Sequence, residues 1–431
     1  LCALELARRH PDRVSMTISN GYLHMEQAQI DDILAHYFAE LSIDWTGSHL
    51  TWVWARMRNQ YVFFPWFRTG AEDRMDYDMP SPEYIHEAVM EILRAGDHYR
   101  GPYRAAFTFS AAEAVQQAKA PAIVMTSKQD VLYPGMARMP KPAASVRTME
   151  PETHAESEDL VEELLLENPG PAAPPIAPTR ALQGRIHAEF IPVEGGCLYA
   201  RRNTDAGGRP IVFQHASANS SRGCDAVMEH FVGRRPILAL DLPGNGESED
   251  LIGDDPSIVS RQAEFLGQAI RELGYSQVDF VGIWAGGTVG VELALQQPDL
   301  IEHLAIPNLV FVDDAERQKY LEHYTPEIVF DEYGGHFIKT WNMVRDQNLY
   351  APWFEKKKQN IIRAPDLAPE VVHQRTLDLL KCGDRYRAIY AAHFNYPIQQ
   401  RLPGVRCPVL LGSPQEAATQ RAAALNLPNC Q

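Results

Sequence analysis

Residues Val278–Leu295 read VDFVGIWAGGTVGVELAL, and they change from a β-branched strand through a glycine-rich turn to an apolar helix. Gly282, Gly286 and Gly287 supply small residues on both sides of Trp284. A strand that enters a helix through such a turn can hold its central residue in a strained conformation at the edge of a sheet. The simpler interpretation is a tight turn that packs helix on strand. A dinucleotide-binding loop is disfavoured, because the glycine spacing does not give G-x-G-x-x-G.

Strand-like and helix-like segments alternate on both sides of this turn. The helical segments carry apolar residues at helical spacing, and the strand segments are short and apolar. This alternation predicts an α/β fold in which a doubly wound, mostly parallel sheet is covered by helices on both faces. The predicted strands are 187–193, 197–201, 210–214, 236–240, 278–282, 303–306 and 408–412, and the predicted helices are 225–232, 258–273 and 287–296.

Two segments upstream of the turn belong to the same sequence pattern as the turn. The predicted strand 210–214 ends before His215 and a loop of small residues, and Asp241–Ser248 reads DLPGNGES. A strand ending in histidine before a small-residue loop, a D-L-P-G-x-G-x-S turn and a glycine-rich elbow after the next strand together resemble the α/β-hydrolase superfamily. The resemblance covers nearly the whole chain and implies a helical cap over the sheet.

The resemblance also implies roles for residues at the elbow. It places Trp284 at the position of the nucleophile, and it implies that the backbone N–H groups of Ser217 and Ala285 form an oxyanion hole. An indole has no nucleophilic oxygen, sulfur or carboxylate, so covalent catalysis is not expected at this elbow. No cofactor is expected. The scattered cysteines also argue against a metal site of the structural zinc type.

The chain repeats itself over a long distance. Residues 36–67 align without a gap on residues 323–354, at an offset of 287 (323 − 36). One register held over so many positions predicts a partial tandem duplication. Residues 1–167 are then the C-terminal half of a first α/β-hydrolase-like unit, with its elbow helix, cap and last strands. A Pro-rich linker follows at residues 168–182, and residues 183–431 form a second unit without its last strand and helix.

Asp130 and His154 are the candidate catalytic residues of the first unit. Asp130 follows a predicted strand over 120–125, and His154 precedes an acidic helix. Both positions match the acid and the histidine of the superfamily, in which the carboxylate orients the imidazole. The nucleophile of this unit would lie upstream of the sequence. The alternative is a turn aspartate and an exposed helix-cap histidine. In the second unit the acid position falls on Ala417, next to Glu416.

Both units fill the cap with aromatic residues, which predicts a pocket for a small apolar or aromatic ligand. His336 and Arg345 have counterparts in the first unit at the 287-residue offset, His49 and Arg58. The alternative interpretation is that such polar residues make internal contacts within the cap and that the aromatic residues are ordinary helix packing. The candidate substrate-pocket residues of the second unit are His215, His336, Trp341 and Arg345.

The composition excludes several classes of partner. A formal charge of −16 would repel nucleic acid and anionic membrane surfaces. No segment approaches the roughly 18 consecutive apolar residues that a bilayer span requires. The six cysteines show no paired spacing, which predicts the absence of a disulfide framework and a reducing, cytoplasmic location. Assembly into a homo-oligomer is left open.

Three hypotheses about function and assembly follow. The first is a hydrolase of a small apolar ester, epoxide or related compound that acts through the first unit and has a degenerate second site. The second is a non-catalytic pseudoenzyme that binds a small ligand. In the third, the first unit completes the sheet of the second unit, although the covalently continuous pairing closes a shorter loop and is preferred.

Overall fold

A computed structural model describes residues 1–172, 182–309 and 311–412 of the chain. The chain divides into two compact units, residues 1–44 with 48–177 and residues 45–47 with 178–431. Most of the predicted Pro-rich linker lies outside the described residues, as do Glu416 and Ala417. Within the described ranges, no helix is long and apolar enough to cross a membrane.

The first unit builds a small three-stranded sheet and surrounds it with helices. Short 3-10 turns at Ala71–Asp73 and Gly96–Tyr99 separate some of the helices. In chain order the elements are α1 (Cys2–Arg9), β1 (Thr17–Asn20), α2 (Gln27–His36), α3 (Ser48–Gln60), α4 (Pro82–Ala95), α5 (Arg100–Thr108), α6 (Ala111–Gln117), β2 (Ala122–Met125), α7 (Pro134–Ala137), β3 (Val146–Met149) and α8 (His154–Glu167).

All three strands of this sheet are parallel, and β2 lies in the centre. Ile123 pairs with Ile18 on one side and with Arg147 on the other. All four residues of β2 are buried, which explains why its apolar run predicted a strand. The prediction is confirmed for β2. β1 and β3 were not predicted, because each has only four residues and neither has a continuous apolar run.

The second unit is larger and has a seven-stranded sheet. Its 3-10 turns lie at Ser221–Cys224, Lys358–Asn360 and Leu402–Gly404. In chain order the elements are β4 (His187–Val193), β5 (Gly196–Asn203), β6 (Ile211–Gln214), α9 (Asp225–Glu229), β7 (Ile237–Leu240), α10 (Ile258–Glu272), β8 (Val278–Gly282), α11 (Ala285–Gln296), β9 (Ile301–Ile306), α12 (Asp314–His323), α13 (Gly335–Leu349), α14 (Pro369–Cys382), α15 (Arg385–Asn395), α16 (Ile398–Arg401) and β10 (Val409–Leu411).

The strand order of this sheet is β10-β9-β8-β6-β7-β5-β4. The pairs from β10 to β7 are parallel, and β5 pairs antiparallel with both β7 and β4. The predicted doubly wound, mostly parallel sheet is therefore confirmed. Each predicted strand of this unit is present, with bounds that differ from the prediction by at most two residues. β9 pairs with both β8 and β10, so the second unit completes this sheet with its own later strands.

Several local structures recur at the 287-residue offset. The bounds of α2 and α4 shifted by that offset are the bounds of α12 and α14. The indole N–H of Trp66 donates to the carbonyl oxygen of Tyr37 at 3.3 Å, and that of Trp353 donates to the carbonyl oxygen of Tyr324 at 3.2 Å. This recurrence supports the hypothesis of a duplication.

The bounds of α4 and α14 follow from residues at their two ends. Each helix begins with a proline, Pro82 or Pro369, in its first turn, where the missing N–H would have no partner in any case. Each ends before a glycine of positive φ, which is 55° for Gly96 and 57° for Gly383. Glycine adopts that conformation without a Cβ clash, so it stops both helices.

Arg56 is buried among aromatic rings in the first unit. The residue is 1% exposed, and its Nη1 donates to the side-chain oxygen of Gln60 at 3.2 Å. Stacking on ring faces stabilises a guanidinium that water does not reach. Met343 stands at the matched position of the second unit. The guanidinium carbon lies between 5.2 and 5.8 Å from the ring centroids of Tyr37, Trp66, Tyr99 and Tyr103.

We expect Arg56→Ala to lower the free energy of unfolding of the first unit by about 3 kcal/mol, because it leaves a cavity among the rings. Arg56→Met fills that space without a buried charge and should cost less than about 1.5 kcal/mol. Denaturant unfolding followed by circular dichroism measures both values. Arg68→Met, at a side chain that is 51% exposed, is the control. Equal losses for the Ala and Met variants would contradict the packing role.

Candidate functional site

The turn after β8 has a strained backbone. Trp284 has a φ of 52° and a ψ of −115°, and it is the N-cap residue of α11. A positive φ is rare for a bulky residue and costs on the order of 1–3 kcal/mol, because Cβ crowds the backbone. The residue is 38% exposed, so the indole is accessible at the turn and is not part of the core. The turn therefore has the backbone of an elbow, with an indole at its centre.

Two glycines let α11 approach β6 and β8 closely. A Cβ on Gly282 would lie 2.4 Å from the carbonyl oxygen of Gly286. A Cβ on Gly286 would lie 2.4 Å from the carbonyl oxygen of Gln214 and 2.7 Å from that of His215. Only glycine fits at such distances. The N-terminus of α11 therefore contacts the carboxyl end of β6, where the loop with Ser217 begins.

Two backbone N–H groups at this junction, those of Ser217 and Ala285, have no acceptor among the residues that the structure describes. We call them the amide pair. Ser217 is 1% exposed, and its hydroxyl oxygen is also buried without a partner in the described chain. A buried donor such as the Ser217 N–H is normally satisfied, whereas the Ala285 N–H lies in the first turn of α11, where no intrahelical acceptor is available. The two donors at one junction form a candidate binding site. These are the two N–H groups that the resemblance assigned to an oxyanion hole.

His215 makes hydrogen bonds within the protein. The residue is 2% exposed, its Nδ1 donates to the carbonyl oxygen of Ala216 at 2.6 Å, and its Nε2 accepts from the N–H of Leu242 at 3.1 Å. These partners define a neutral ring, and burial lowers its pKa. His215 thus connects the loop after β6 to the loop after β7. Both ring nitrogens are in use within the protein, so any contact of His215 with a ligand would go through its carbon atoms, and the pocket role stays a prediction.

His393 on α15 is a residue that the sequence did not suggest. Within the described chain, both of its ring nitrogens are buried without a hydrogen-bond partner. Burial lowers the pKa of His393 to about 3, and the nearby His215 adds to the effect. One turn earlier on the helix, the hydroxyl of Tyr390 donates to the carbonyl oxygen of Ser217 at 3.2 Å. No local motif could have revealed His393, because its contacts are with residues far away in the sequence.

Two buried carboxylates hold the backbone of the same loop. One carboxylate oxygen of Asp378 accepts from the N–H of Ser220 at 3.0 Å and from its hydroxyl at 2.9 Å. Asp241 accepts from the N–H of Ser221 at 2.5 Å. Burial raises the pKa of Asp378 to about 6, against the effect of its hydrogen bonds, and the charge of Asp241 contributes to the increase.

The other predicted pocket residues lie on α13. Trp341 is fully buried, and His336 is 2% exposed with its ring centroid 4.6 Å from that of Phe337. Arg345 is half-buried on the same helix. Both His336 and Trp341 are therefore packed inside the unit and are not exposed on its surface. His336 also lines a small cavity with Ile328 and Met343, and the pocket roles of His336, Trp341 and Arg345 stay predictions.

In the first unit, Asp130 and His154 follow the adjacent parallel strands β2 and β3. Among the described residues they form no hydrogen bond with each other. Asp130 accepts from the N–H of Leu132 at 2.8 Å, and His154 Nδ1 lies 3.2 Å from the hydroxyl of Ser127. The hydroxyl of Tyr77 lies 3.4 Å from His154 Nε2. Burial, together with the charge of Asp130, raises the pKa of Tyr77. The pair lies in one cluster around Tyr77 and lacks the direct contact of a triad.

The elbow of the second unit offers donors and an aromatic surface, but no nucleophile. Unpaired N–H groups bind an oxygen atom that carries partial or full negative charge. An indole cannot attack a carbonyl carbon. In the described part of the chain, no cluster of three or more His, Cys, Asp or Glu residues could hold a metal ion. The arrangement therefore suits binding better than covalent catalysis.

Comparison with known proteins identifies the class of this fold. Residues 209–319 match the family model described as alpha/beta hydrolase fold. The matched segment runs from β6 through the elbow to α12, so it includes both residues of the amide pair. The matched segment of the second unit therefore has the α/β-hydrolase fold.

Three relatives match about a third of the chain or less. An esterase of Mycobacterium tuberculosis is 31% identical over 131 residues, which cover 30% of this chain and 41% of the esterase. The dihydrolipoyllysine-residue acetyltransferase component of the acetoin cleaving system of Cupriavidus necator is 26% identical, covering 32% and 36%. The (E)-2-((N-methylformamido)methylene)succinate hydrolase of Acinetobacter baylyi is 24% identical, covering 24% and 39%. The chain thus spans less than half the length of each of these relatives.

Solved structures of similar proteins include two hydrolytic enzymes. The enol-lactonase from Burkholderia xenovorans shares 17% identity at a TM-score of 0.42, over 55% of this chain and 87% of that one. A hydrolase from Pseudomonas aeruginosa shares 18% identity at a TM-score of 0.42, over 56% and 86%. Both likenesses are weak at this TM-score, and neither defines a substrate.

We expect Gly286→Ala to lower the free energy of unfolding of the second unit by about 3 kcal/mol, since backbone oxygens at 2.4 and 2.7 Å must move to admit its Cβ. Gly207→Ala is the control, because nothing lies within 4 Å of its Cβ position. Urea unfolding followed by tryptophan fluorescence measures both. If the two variants had the same midpoint, α11 could not approach β6 as closely as described.

The pKa of Asp378 predicts a specific pH dependence. The folded-state value of about 6 exceeds the ordinary 3.8, so the folded protein binds the proton more tightly. This contribution to stability is complete below pH 4 and is lost as the pH rises through 6. The stability of the wild type relative to Asp378→Asn should therefore fall between pH 4.5 and pH 7, which thermal unfolding at a series of pH values measures. A difference that is constant with pH would contradict the raised pKa.

Proposed function

We propose that the second unit binds a small ligand through the amide pair and does not transform it. One observation carries the proposal: the unpaired N–H groups of Ser217 and Ala285 lie at an elbow whose central residue, Trp284, has no nucleophilic atom. The donors that would stabilise an oxyanion are present, and the group that would generate one is replaced. A site of this kind fits a ligand that presents an oxygen acceptor.

The neighbouring titratable groups support binding over hydrolysis by water. A general base works best when its pKa lies near the working pH. His215 uses both ring nitrogens, and the pKa of His393 is about 3, so neither imidazole is poised to accept a proton from water. Asp378 has a pKa of about 6, but its two carboxylate oxygens already accept from Ser220 and Gln374 within the protein. The elbow therefore has neither a nucleophilic side chain nor a side chain that would activate water.

The surroundings favour a small, uncharged and partly apolar ligand. The accessible Trp284, which directly precedes Ala285 in the chain, provides an aromatic surface, and aromatic rings bind apolar and aromatic groups. The formal charge of −16 disfavours polyanions. Ketones, esters and amides with an apolar substituent combine the acceptor with the apolar surface. They are the ligand class that we propose.

Hydrolysis of a small apolar ester or epoxide in the first unit is a second candidate function. It is favoured by the positions of Asp130 and His154 at the carboxyl ends of adjacent strands, with Tyr77 in contact with the imidazole. Catalytic hydrogen bonds are often long before substrate binds, so the missing contact does not exclude a triad. The family match at residues 209–319 does not extend to these residues.

Amide NMR of the full chain tests the binding proposal. With ¹⁵N-alanine labelling, the signal lost in Ala285→Gly is that of Ala285. We expect acetophenone to move this amide proton downfield, with a dissociation constant of roughly 1 mM for so small a ligand. The amide of Ala294, which is buried near the C-terminal end of α11, is the internal control and should not move. In parallel, phenyl acetate should not be hydrolysed at the elbow.

The outcomes separate the two candidate functions. Turnover of phenyl acetate that disappears in Trp284→Ala would refute binding without catalysis. Turnover that disappears in His154→Ala, with Trp284→Ala unaffected, would support the first unit as the hydrolase. An Ala285 amide that responds to none of acetophenone, benzamide and phenyl acetate would refute the amide pair as a binding site.

A further inference from the structure

His393 is the one imidazole near the elbow whose ring nitrogens form no hydrogen bond within the described chain. The residue is half-buried, and both ring nitrogens are shielded from water. Leaving such nitrogens unpaired is unfavourable, because each loses its hydrogen bond with water on burial. A hydrogen-bonding partner from outside the chain would remove that cost.

The position of His393 relates it to the amide pair. His393 lies three residues after Tyr390, so the two side chains share a face of α15. The Tyr390 hydroxyl bonds to the carbonyl oxygen of Ser217, and the His393 ring lies close enough to His215 for the two to interact electrostatically. This face of α15 therefore covers the loop that carries the Ser217 N–H.

The chemistry of His393 is that of a neutral imidazole, which has one acceptor nitrogen and one N–H donor. The low pKa keeps it neutral at any pH near 7, so it neither attracts a carboxylate by charge nor acts as a strong base. A neutral imidazole discriminates between ligands by hydrogen bonding. A hydroxyl or N–H group on the ligand would bond to its acceptor nitrogen.

We propose that His393 is a specificity-determining residue of the amide-pair site, and that it selects carbonyl ligands which carry a hydroxyl or N–H group next to the carbonyl. This inference rests on the proposed function, because it assumes that the carbonyl oxygen binds the amide pair. The ligand class thereby narrows from simple ketones and esters to α-hydroxy ketones, α-hydroxy esters and primary amides. A ligand with the carbonyl alone leaves the imidazole unsatisfied and binds more weakly.

A matched pair of probes tests the inference on the full chain. Acetophenone and 2-hydroxyacetophenone differ only by the hydroxyl group, and titrations followed at the Ala285 amide give both dissociation constants. We expect the wild type to bind 2-hydroxyacetophenone about 5–10-fold more tightly, the value of one buried neutral hydrogen bond. In His393→Phe the preference should fall to about 1-fold, while acetophenone affinity changes by less than about 2-fold. His393→Gln, which keeps a donor and an acceptor, should retain most of the preference.

Two controls make the result specific. Asn395→Ala changes a residue in a groove of about 690 Å³ on another face of α15, and it should leave both affinities unchanged. Circular dichroism melting shows that the His393 variants fold. A preference that survives in His393→Phe would overturn the inference while leaving the amide-pair proposal intact. If neither ketone moves the Ala285 amide of the wild type, the amide-pair proposal itself fails.

Discussion

The close approach of α11 to the ends of β6 and β8 is the constraint on which the rest of the site depends. It exists because Gly286 has no side chain to separate the helix from the carbonyl oxygens of Gln214 and His215. The same approach places Ala285 at the start of the helix and brings it to the loop that carries Ser217. Asp241 and Asp378 hold that loop from the protein side through backbone N–H groups. The same small residues that let the helix pack on the sheet, together with two carboxylates, therefore also determine the geometry of the site.

The elements that were predictable are those encoded locally. The run VDFVG followed by glycines specifies β8 and the turn, and the strands around it have apolar runs that only a sheet covered on both faces can bury. His393 could not be predicted, because its environment depends on how α15 packs over a loop that begins at residue 215. The hydrogen bonds of His215 could not be predicted for a similar reason. Its ring is oriented by the N–H of Leu242, a residue of a different loop, and no pattern in the sequence shows that bond.

The two units keep similar local packing and differ in their chemistry. Both have a tryptophan that donates to a tyrosine carbonyl at matched positions, and both have helices of matched length. The polar residues diverge: Arg56 among the rings of the first unit corresponds to Met343, and the cluster of Asp130, Tyr77 and His154 belongs to the first unit. Backbone architecture is maintained by contacts that tolerate changes at the sites, so fold and activity can vary separately.

The connection that His215 makes between the loops after β6 and β7 has a consequence for acidic surroundings. Nε2 must stay unprotonated to accept from Leu242, and burial opposes protonation of the ring. Mild acid therefore leaves this connection in place, although it neutralises Asp378 behind the same loop. The hydrogen bond between His215 and Leu242 therefore fixes the path of the loop after β6 over a wide range of pH. It does so whether the Asp378 carboxyl is protonated or ionised.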